Sequence, residues 1–164
     1  MNEPGKVLAD IIATDMGIPT SRIVLSNQNF KAPKDDDIYI VIIPDAGRVI
    51  SAVNRFDPDT NEEVKTTTVS ETYNVEITSR NTDARERRYE VNQAIISTYA
   101  ERQAEDNNLR IFRTQQNINL SFIEGASALH RYRIPVIIYS MKEKRTAIEP
   151  INKFPTTEVN NEPA

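Results

Sequence analysis

The chain of 164 residues contains no cysteine, no tryptophan, one histidine and four glycines. The lack of cysteine excludes disulfide frameworks, zinc sites with thiolate ligands, CxxC redox motifs and thiol nucleophiles. The single histidine, His130, leaves at most one imidazole for acid–base chemistry or metal binding. The glycines are too scattered for a dinucleotide-binding fingerprint or a phosphate-binding loop. We therefore expect no enzymatic activity, no cofactor and no metal ion.

Apolar residues are also scarce, at 38% of the chain, so we expect a core that is thin or shared with other subunits. The net charge of −4 argues against an overall electrostatic hold on nucleic acid. The longest apolar runs are far shorter than the ~20 residues that span a bilayer, and the N-terminus does not resemble a signal peptide. These features predict a soluble protein with one domain over residues 1–148. The proline-containing tail over residues 149–164 is expected to be flexible.

The first part of the chain predicts a helix, a short strand and a central strand. Val7, Leu8, Ile11 and Ile12 recur at helical spacing, and Gly17 ends that helix. A short strand over 22–26 and a polar loop over 27–37 follow. The continuous apolar run over 38–43 is typical of a strand that is covered on both faces.

A β-hairpin is predicted next, with strands over 49–56 and 64–79 joined by the turn Asp57-Pro-Asp-Thr-Asn61. In its second strand, Val75 and Ile77 alternate with Asn74, Glu76 and Thr78. One face of this strand is therefore expected to pack on the core, while the other meets water or a partner.

One long helix is predicted from Asp83, with Glu86 at capping-box spacing, to the polar residues 106–108. Strands follow over 109–122 and 129–141. The apolar residues Leu109 and Ile111 differ in parity from Ile118, Leu120 and Phe122, so all five can face inward only if the first strand breaks near residues 115–117.

Pro135 lacks an amide donor and predicts an edge position or a bulge for the last strand. The order of elements predicts an α+β fold: a mainly antiparallel sheet with the long helix and the N-terminal helix packed on it, plus an extended β-hairpin.

Three groups of residues are candidates for metal or catalytic sites. Asp57, Asp59 and Asn61 imitate the first ligands of a calcium loop, but Glu62 replaces the required glycine and Thr68 the final glutamate. The run Asp35-Asp-Asp37 cannot direct three carboxylates at one ion from an extended chain. His130 has no carboxylate near it in the sequence. Solvated acidic loops and a structural histidine are the predicted roles.

Arginines are concentrated at the start of the predicted long helix, where positive charge opposes the helix dipole. We take Arg85, Arg87 and Arg88 as candidates for a subunit interface; the alternative is a local mixed-charge surface neutralised by nearby glutamates. Arg131 and Arg133 share one face of the last strand and are candidates for an extension of the same basic strip.

The order of segments resembles the tail terminator, or neck terminator, proteins of long-tailed bacteriophages. The resemblance includes the N-terminal helix from Val7, the loop Asn27-Gln-Asn-Phe30 before Asp37-Ile-Tyr-Ile-Val41, and the hairpin strand Glu71-Thr-Tyr-Asn-Val-Glu-Ile77. It continues through the helix from Asp83, Arg110-Ile-Phe112 and Ile118-Asn-Leu-Ser-Phe122, to His130-Arg-Tyr-Arg-Ile134. It covers nearly all of the chain up to Ile148.

This resemblance implies a structural virion protein without enzymatic activity. Six copies would form a ring that caps the tail tube, ends its polymerisation and joins the tail to the head. The implied partners are other copies of the chain, the tail tube protein, a neck connector protein on the head side and the sheath protein. DNA would pass through the ring without sequence-specific binding. The implied location is the neck of the virion, after assembly in the host cytoplasm.

The hairpin is our candidate for an arm that reaches the tube or a neighbouring subunit, with Asp57, Asp59, Asn61 and Glu62 at its tip. Three other functions stay open. One is a different connector or head-completion protein of the neck. Another is a soluble adaptor that binds an extended peptide at a strand edge. The third is an enzyme that uses His130 with carboxylates brought to it by the fold.

Overall fold

The computed structural model describes residues 3–26, 33, 35–114, 116–124 and 127–148. The helices are α1 (Pro4–Met16), α2 (Asp83–Ile95) and α3 (Thr98–Asp106). The strands are β1 (Ile23–Leu25), β2 (Tyr39–Asp57), β3 (Glu62–Ser79), β4 (Leu109–Arg113), β5 (Ile118–Asn119), β6 (Phe122–Glu124) and β7 (Ser127–Ala147). Within these residues, no helix has the length and apolar character needed to cross a membrane.

The strands form a sheet in the order β1-β2-β3-β7-β4, and β5 and β6 also pair with β7. Only β1 and β2 run parallel; the other pairs are antiparallel. The prediction of an α+β fold with a mainly antiparallel sheet is therefore confirmed. The N-terminal helix is confirmed as well, and Gly17 ends it in the left-handed conformation with φ of 64°.

All three helices pack on one face of the sheet. Val75 lies opposite Ile134 and Ile77 opposite Tyr132, and these side chains join the core with the apolar residues of α1, α2 and α3. The alternate residues of the same strands point to the other face, which we call the open face. No helix in the described part of the chain covers the open face.

Beyond the helices, three strands continue as an arm that consists of residues 49–57, 62–69 and 140–147. The core cluster includes no residue of these segments. At about 3.4 Å per residue, the arm extends roughly 27 Å past the core. The sequence predicts its first two strands but ends the third near Met141, whereas β7 stays paired with β3 as far as Ala147. The charged run after Met141 has no strand pattern of its own, and its partner strand holds it in the sheet.

The prediction of one long helix over 83–106 is wrong, because the helix is divided at Ile96 and Ser97. The backbone of Ser97 is extended, and its hydroxyl oxygen accepts a hydrogen bond from the Ala100 amide at 3.1 Å. A serine in this position begins a new helix by satisfying one of its free amides. The division gives α3 its own direction, so that Ala100 and Ala104 reach the core.

The predicted capping box at the start of α2 is also wrong. The helix does begin at Asp83, but the amides of its first turn bond to residues upstream of the helix. The Asp83 amide donates to Oδ1 of Asn81 and the Ala84 amide donates to Oγ of Ser79, each at 2.9 Å. Glu86 instead accepts a hydrogen bond from the Thr82 hydroxyl.

The predicted break of the strand over 109–122 is confirmed, since β4 ends at Arg113 and β5 begins at Ile118. The prediction that Ile118 and Phe122 face inward is wrong: both are exposed. They pair with β7 outside the area that the helices cover. The alternation of apolar residues in this segment therefore does not indicate a face that is buried in the core.

The predicted edge position of Pro135 is wrong for the strand as a whole, because β7 lies between β3 and β4. Pro135 faces the gap between β4 and β5, where its carbonyl accepts hydrogen bonds from the amide and hydroxyl of Thr114. At this gap the missing amide leaves no pairing partner unsatisfied. The loop Asn27-Gln-Asn-Phe30 and the tail over 149–164 lie outside the described residues.

Candidate functional site

The tip of the arm is an acidic turn held by one arginine. Arg145 lies 3.4 Å from Oδ2 of Asp57, 3.5 Å from Oε2 of Glu62 and 2.8 Å from Oε1 of Glu143. The hydrogen bond to Glu143, together with the charge of Glu62, raises the pKa of Arg145. Two of the predicted tip residues, Asp57 and Glu62, are therefore already paired within the chain, although one arginine shared by three carboxylates leaves the tip acidic.

Asn61 joins this turn to the end of β7. Its backbone is in the left-handed region with φ of 55°, which asparagine tolerates well. Its side-chain amide donates to the Ile148 carbonyl at 2.9 Å, and the Ile148 amide donates to the Asn61 carbonyl at 3.2 Å. Asp59 is exposed, and its amide donates to Asp57. The tip is thus built before any partner binds it.

The three predicted interface arginines of α2 have different surroundings. Arg85 is exposed. Arg88 stacks on the ring of Tyr89, with its guanidinium carbon 4.2 Å from the ring centroid, and lies 5.2 Å from that of Tyr132. Arg87 donates to the Met16 carbonyl at 2.8 Å and to Oε2 of Glu90. Arg87 therefore connects α2 to the C-terminal end of α1, a structural contact that the sequence does not indicate.

We expect Arg87→Ala to lower the free energy of unfolding by about 1 kcal/mol, because it removes hydrogen bonds to a carboxylate and to a helix-terminal carbonyl. Arg85→Ala, an exposed position two residues away, is the matched control and should change stability by less than about 0.5 kcal/mol. Urea unfolding of the two variants measures the difference. Equal stability of the two variants would contradict the structural role of Arg87.

Arg131 and Arg133 hold a buried carboxylate at the centre of the open face. Glu76 is 1% exposed. Nε and Nη2 of Arg131 donate to its Oε2 atom, and Nε and Nη2 of Arg133 donate to its Oε1 atom at 2.9 and 2.7 Å. Two guanidinium groups therefore share one carboxylate, and this cluster carries one net positive charge.

The structure does not bring the predicted arginines together in one basic strip. The pairing of Glu76 with Arg133 and of Thr78 with Arg131 places the β7 arginines on the open face. Helix α2 packs on the opposite face through Val91, Ala94 and Ile95. The extension of the α2 strip by Arg131 and Arg133 is therefore wrong, because the sheet separates the two groups.

The open face also holds apolar and basic residues that sequence reasoning missed. Phe112 is 46% exposed, and its ring centroid lies 5.0 Å from that of Tyr139. Met141 is exposed, and the register places Arg110 beside Tyr139 and Arg48 beside Ser70 on the same face. The only signal in the sequence is parity: Phe112 is out of phase with the inward residues of its strand. The register of four strands decides which outward residues meet.

The acidic residues of the described chain are not grouped as metal ligands. No group of three or more histidine, aspartate or glutamate side chains among them is placed to hold a metal ion. Arg22 pairs with Asp35 at 2.6 Å and with Asp37 at 3.2 Å, and the hydrogen bond from Arg22 lowers the pKa of Asp35. Two carboxylates of the acidic run are therefore paired with an arginine that precedes β1.

An open cleft of about 840 Å³ lies beside α3, β4 and β7. The hydroxyl of Ser140, on its wall, is buried and has no hydrogen-bond partner among the described residues. A serine nucleophile requires a base within hydrogen-bond distance, so this arrangement does not activate Ser140.

Tyr73 is expected to make the stability of the protein depend on alkaline pH. Burial, together with the charges of Glu71 and Glu3, raises the pKa of Tyr73 to about 12. The folded state thus favours the neutral phenol, and its contribution to stability is complete below the unfolded pKa of about 10. We expect this contribution to be lost as the pH rises from about 10 to about 12. Tyr73→Phe should reduce this loss in alkaline urea titrations, and an unchanged loss would contradict the prediction.

No protein-family model matches the chain, and no curated protein matches its sequence.

Proposed function

We propose that the chain is a structural virion protein that forms a ring of six copies at the upper end of a phage tail. The ring caps the tail tube, ends its polymerisation and joins the tail to the neck. The observation that carries the proposal is the sheet that is covered on one face only, with an arm extending past the core. An isolated subunit of this form leaves apolar surface in water, and a ring of copies covers it.

The arm supports the same proposal. Its outer strand, β2, exposes Val49, Val53 and Phe56. Over these residues β2 pairs only with β3 in the described chain, so its other edge is available to a partner. An ordered arm loses little conformational entropy on binding, which favours contact with the tube or with a neighbouring subunit. The predicted contact residues at its tip are Asp57, Asp59, Asn61 and Glu62.

Electron microscopy of particles from an infection that lacks this gene tests the proposed function. We expect over-long tubes, or finished tails detached from full heads. Supplying the intact gene in trans should restore normal particles. Supplying a gene that lacks the codons for residues 57–62 should not, if the tip contacts the tube or a neighbour. Normal particles without the gene would refute the proposal.

A neck connector on the head side is the second candidate, since the open face and the arm fit any ring of the neck equally well. The same experiment separates the two functions by tube length. Tails of normal length that are detached from heads favour the connector, whereas over-long tubes favour the terminator. An adaptor that binds peptides at the free β2 edge is expected to be a monomer with affinity for extended peptides.

A further inference from the structure

We infer that the copies in the proposed ring contact each other by heterologous pairing, in which the open face of one copy binds the outer surface of α1 and α3 of the next. The inference rests on the proposed function for the ring, but the pairing itself follows from two surfaces of the chain. Each surface has a distinct charge, and the two lie mainly on opposite sides of the sheet.

The open face is basic although the whole chain is acidic. Outside the arm, the register places four arginines on this face together with the carboxylate of Glu76, which leaves a surplus of three positive charges there. These arginines are Arg48, Arg110, Arg131 and Arg133. Between them lie the partly exposed apolar side chains of Phe112, Ile137 and Tyr139. This surface combines an apolar centre with positive charge, and a partner that covers it needs negative charge.

The outer surface of α1 and α3 has the opposite charge. The two helices contact each other, and the Tyr99 hydroxyl of α3 donates to Oδ2 of Asp10 on α1 at 2.6 Å. Their five exposed carboxylates outnumber Lys6 and Arg102 by three. These carboxylates belong to Asp10, Asp15, Glu101, Glu105 and Asp106. Ile96, exposed between the end of α2 and the start of α3, adds an apolar contact.

The two surfaces lie mainly on opposite sides of the sheet, because the helices pack on the side opposite to the open face. They approach each other at the edge formed by β4, where Arg110 and Glu105 line the same cleft. A contact between them is therefore heterologous: each copy uses one surface for the preceding neighbour and the other for the following neighbour. Repeated contacts of this kind close into a ring when the rotation between copies permits it. A contact of open face with open face would instead bring together the arginines of two copies.

Two charge-reversed variants of the full chain test the pairing. The first, Arg48→Glu with Arg110→Glu, makes the open face acidic and leaves the buried cluster of Glu76 intact. The second, Glu101→Lys with Glu105→Lys, makes the helix surface basic. Each variant alone places like charges at every contact, so we expect its self-association to weaken about tenfold or more. Sedimentation velocity measures the association, and circular dichroism checks that each variant is folded.

An equimolar mixture of the two variants is the decisive measurement. In the mixture, the acidic open face of the first variant meets the basic helix surface of the second, and the remaining two surfaces are unchanged and complementary. Association should therefore return. Lys6→Glu with Arg102→Glu gives the same change in net charge as the first variant but makes the helix surface more acidic, so this control should still associate.

Three results would overturn the pairing: a wild-type chain that stays monomeric, variants that associate like wild type, or a mixture that does not associate. All three come from the purified chain. The morphology of particles that lack the gene decides the proposed function separately. If tubes are over-long without the gene but the mixed variants do not associate, the terminator function is supported and this interface is rejected. If particles are normal without the gene but the mixed variants associate, the interface is supported and the terminator function is rejected.

Discussion

Replacing Glu76 with glutamine is expected to lower the free energy of unfolding by about 3 kcal/mol. The substitution removes the negative charge that two arginines share and places an amide group against their donors. The carboxylate is buried, so water cannot take its place. Arg131 and Arg133 are about one-third exposed and can turn partly to water, which keeps the loss at the lower end of the ~3–5 kcal/mol range for a broken buried ion pair.

Glu63→Gln is the matched control for this variant. Glu63 lies on the same strand and pairs with Lys65 at 3.1 Å in a more exposed position. Exposed ion pairs contribute ~0–1 kcal/mol, so the control should lose less than about 1 kcal/mol. Urea unfolding at neutral pH measures both variants. If Glu76→Gln is no less stable than Glu63→Gln, the cluster on the open face does not stabilise the fold.

The ion cluster also shows what the sequence could not predict. Alternation over 73–78 correctly places Val75 and Ile77 on the core face and Glu76 on the other face. The arginines that bury Glu76 are 55 and 57 residues further along the chain. A local pattern carries no information on such distant pairing, so the buried state of Glu76 follows only from the register of β3 and β7.

The breaks within the predicted helix and the predicted strand differ in how well the sequence indicates them. Val91, Ala94, Ile95 and Thr98 continue at helical spacing across Ser97, so this apolar stripe predicts one helix where there are two. The break after Arg113 is predictable, because a change of parity in one strand is a local signal. The exposure of Ile118 is not predictable from the sequence, because it depends on how far this residue lies from the helices that cover the core.

The same limit applies to the proposed contact surface on the open face. The sequence predicts one basic strip for the arginines of α2 and β7, but the sheet separates the two groups. The open face arises from outward residues of separate strands, such as Arg48, Arg110 and Tyr139, none of which is conspicuous in its own segment. A sequence can therefore indicate that a strand has an outward polar face. The combined charge of several such faces requires the strand order and the register.

Ile138→Ala and Ile137→Ala are expected to separate stability from assembly. Ile138 is fully buried under the helices, so its truncation should cost about 3 kcal/mol of unfolding free energy through lost burial and a new cavity. Ile137 directly precedes Ile138 in β7 but lies on the open face beside Phe112. Its truncation should cost less than about 1 kcal/mol in the monomer. Thermal unfolding at low concentration measures this difference.

The order of the two variants should reverse in assembly. Ile137→Ala removes apolar area from the proposed contact between copies, so we expect its self-association to weaken several-fold while the monomer stays folded. At a temperature where it remains folded, Ile138→Ala should associate like wild type, because the open face is unchanged. Sedimentation velocity of both variants provides the comparison. Loss of association in Ile138→Ala with none in Ile137→Ala would place the subunit contact on another surface, because adjacent residues of a strand point to opposite faces.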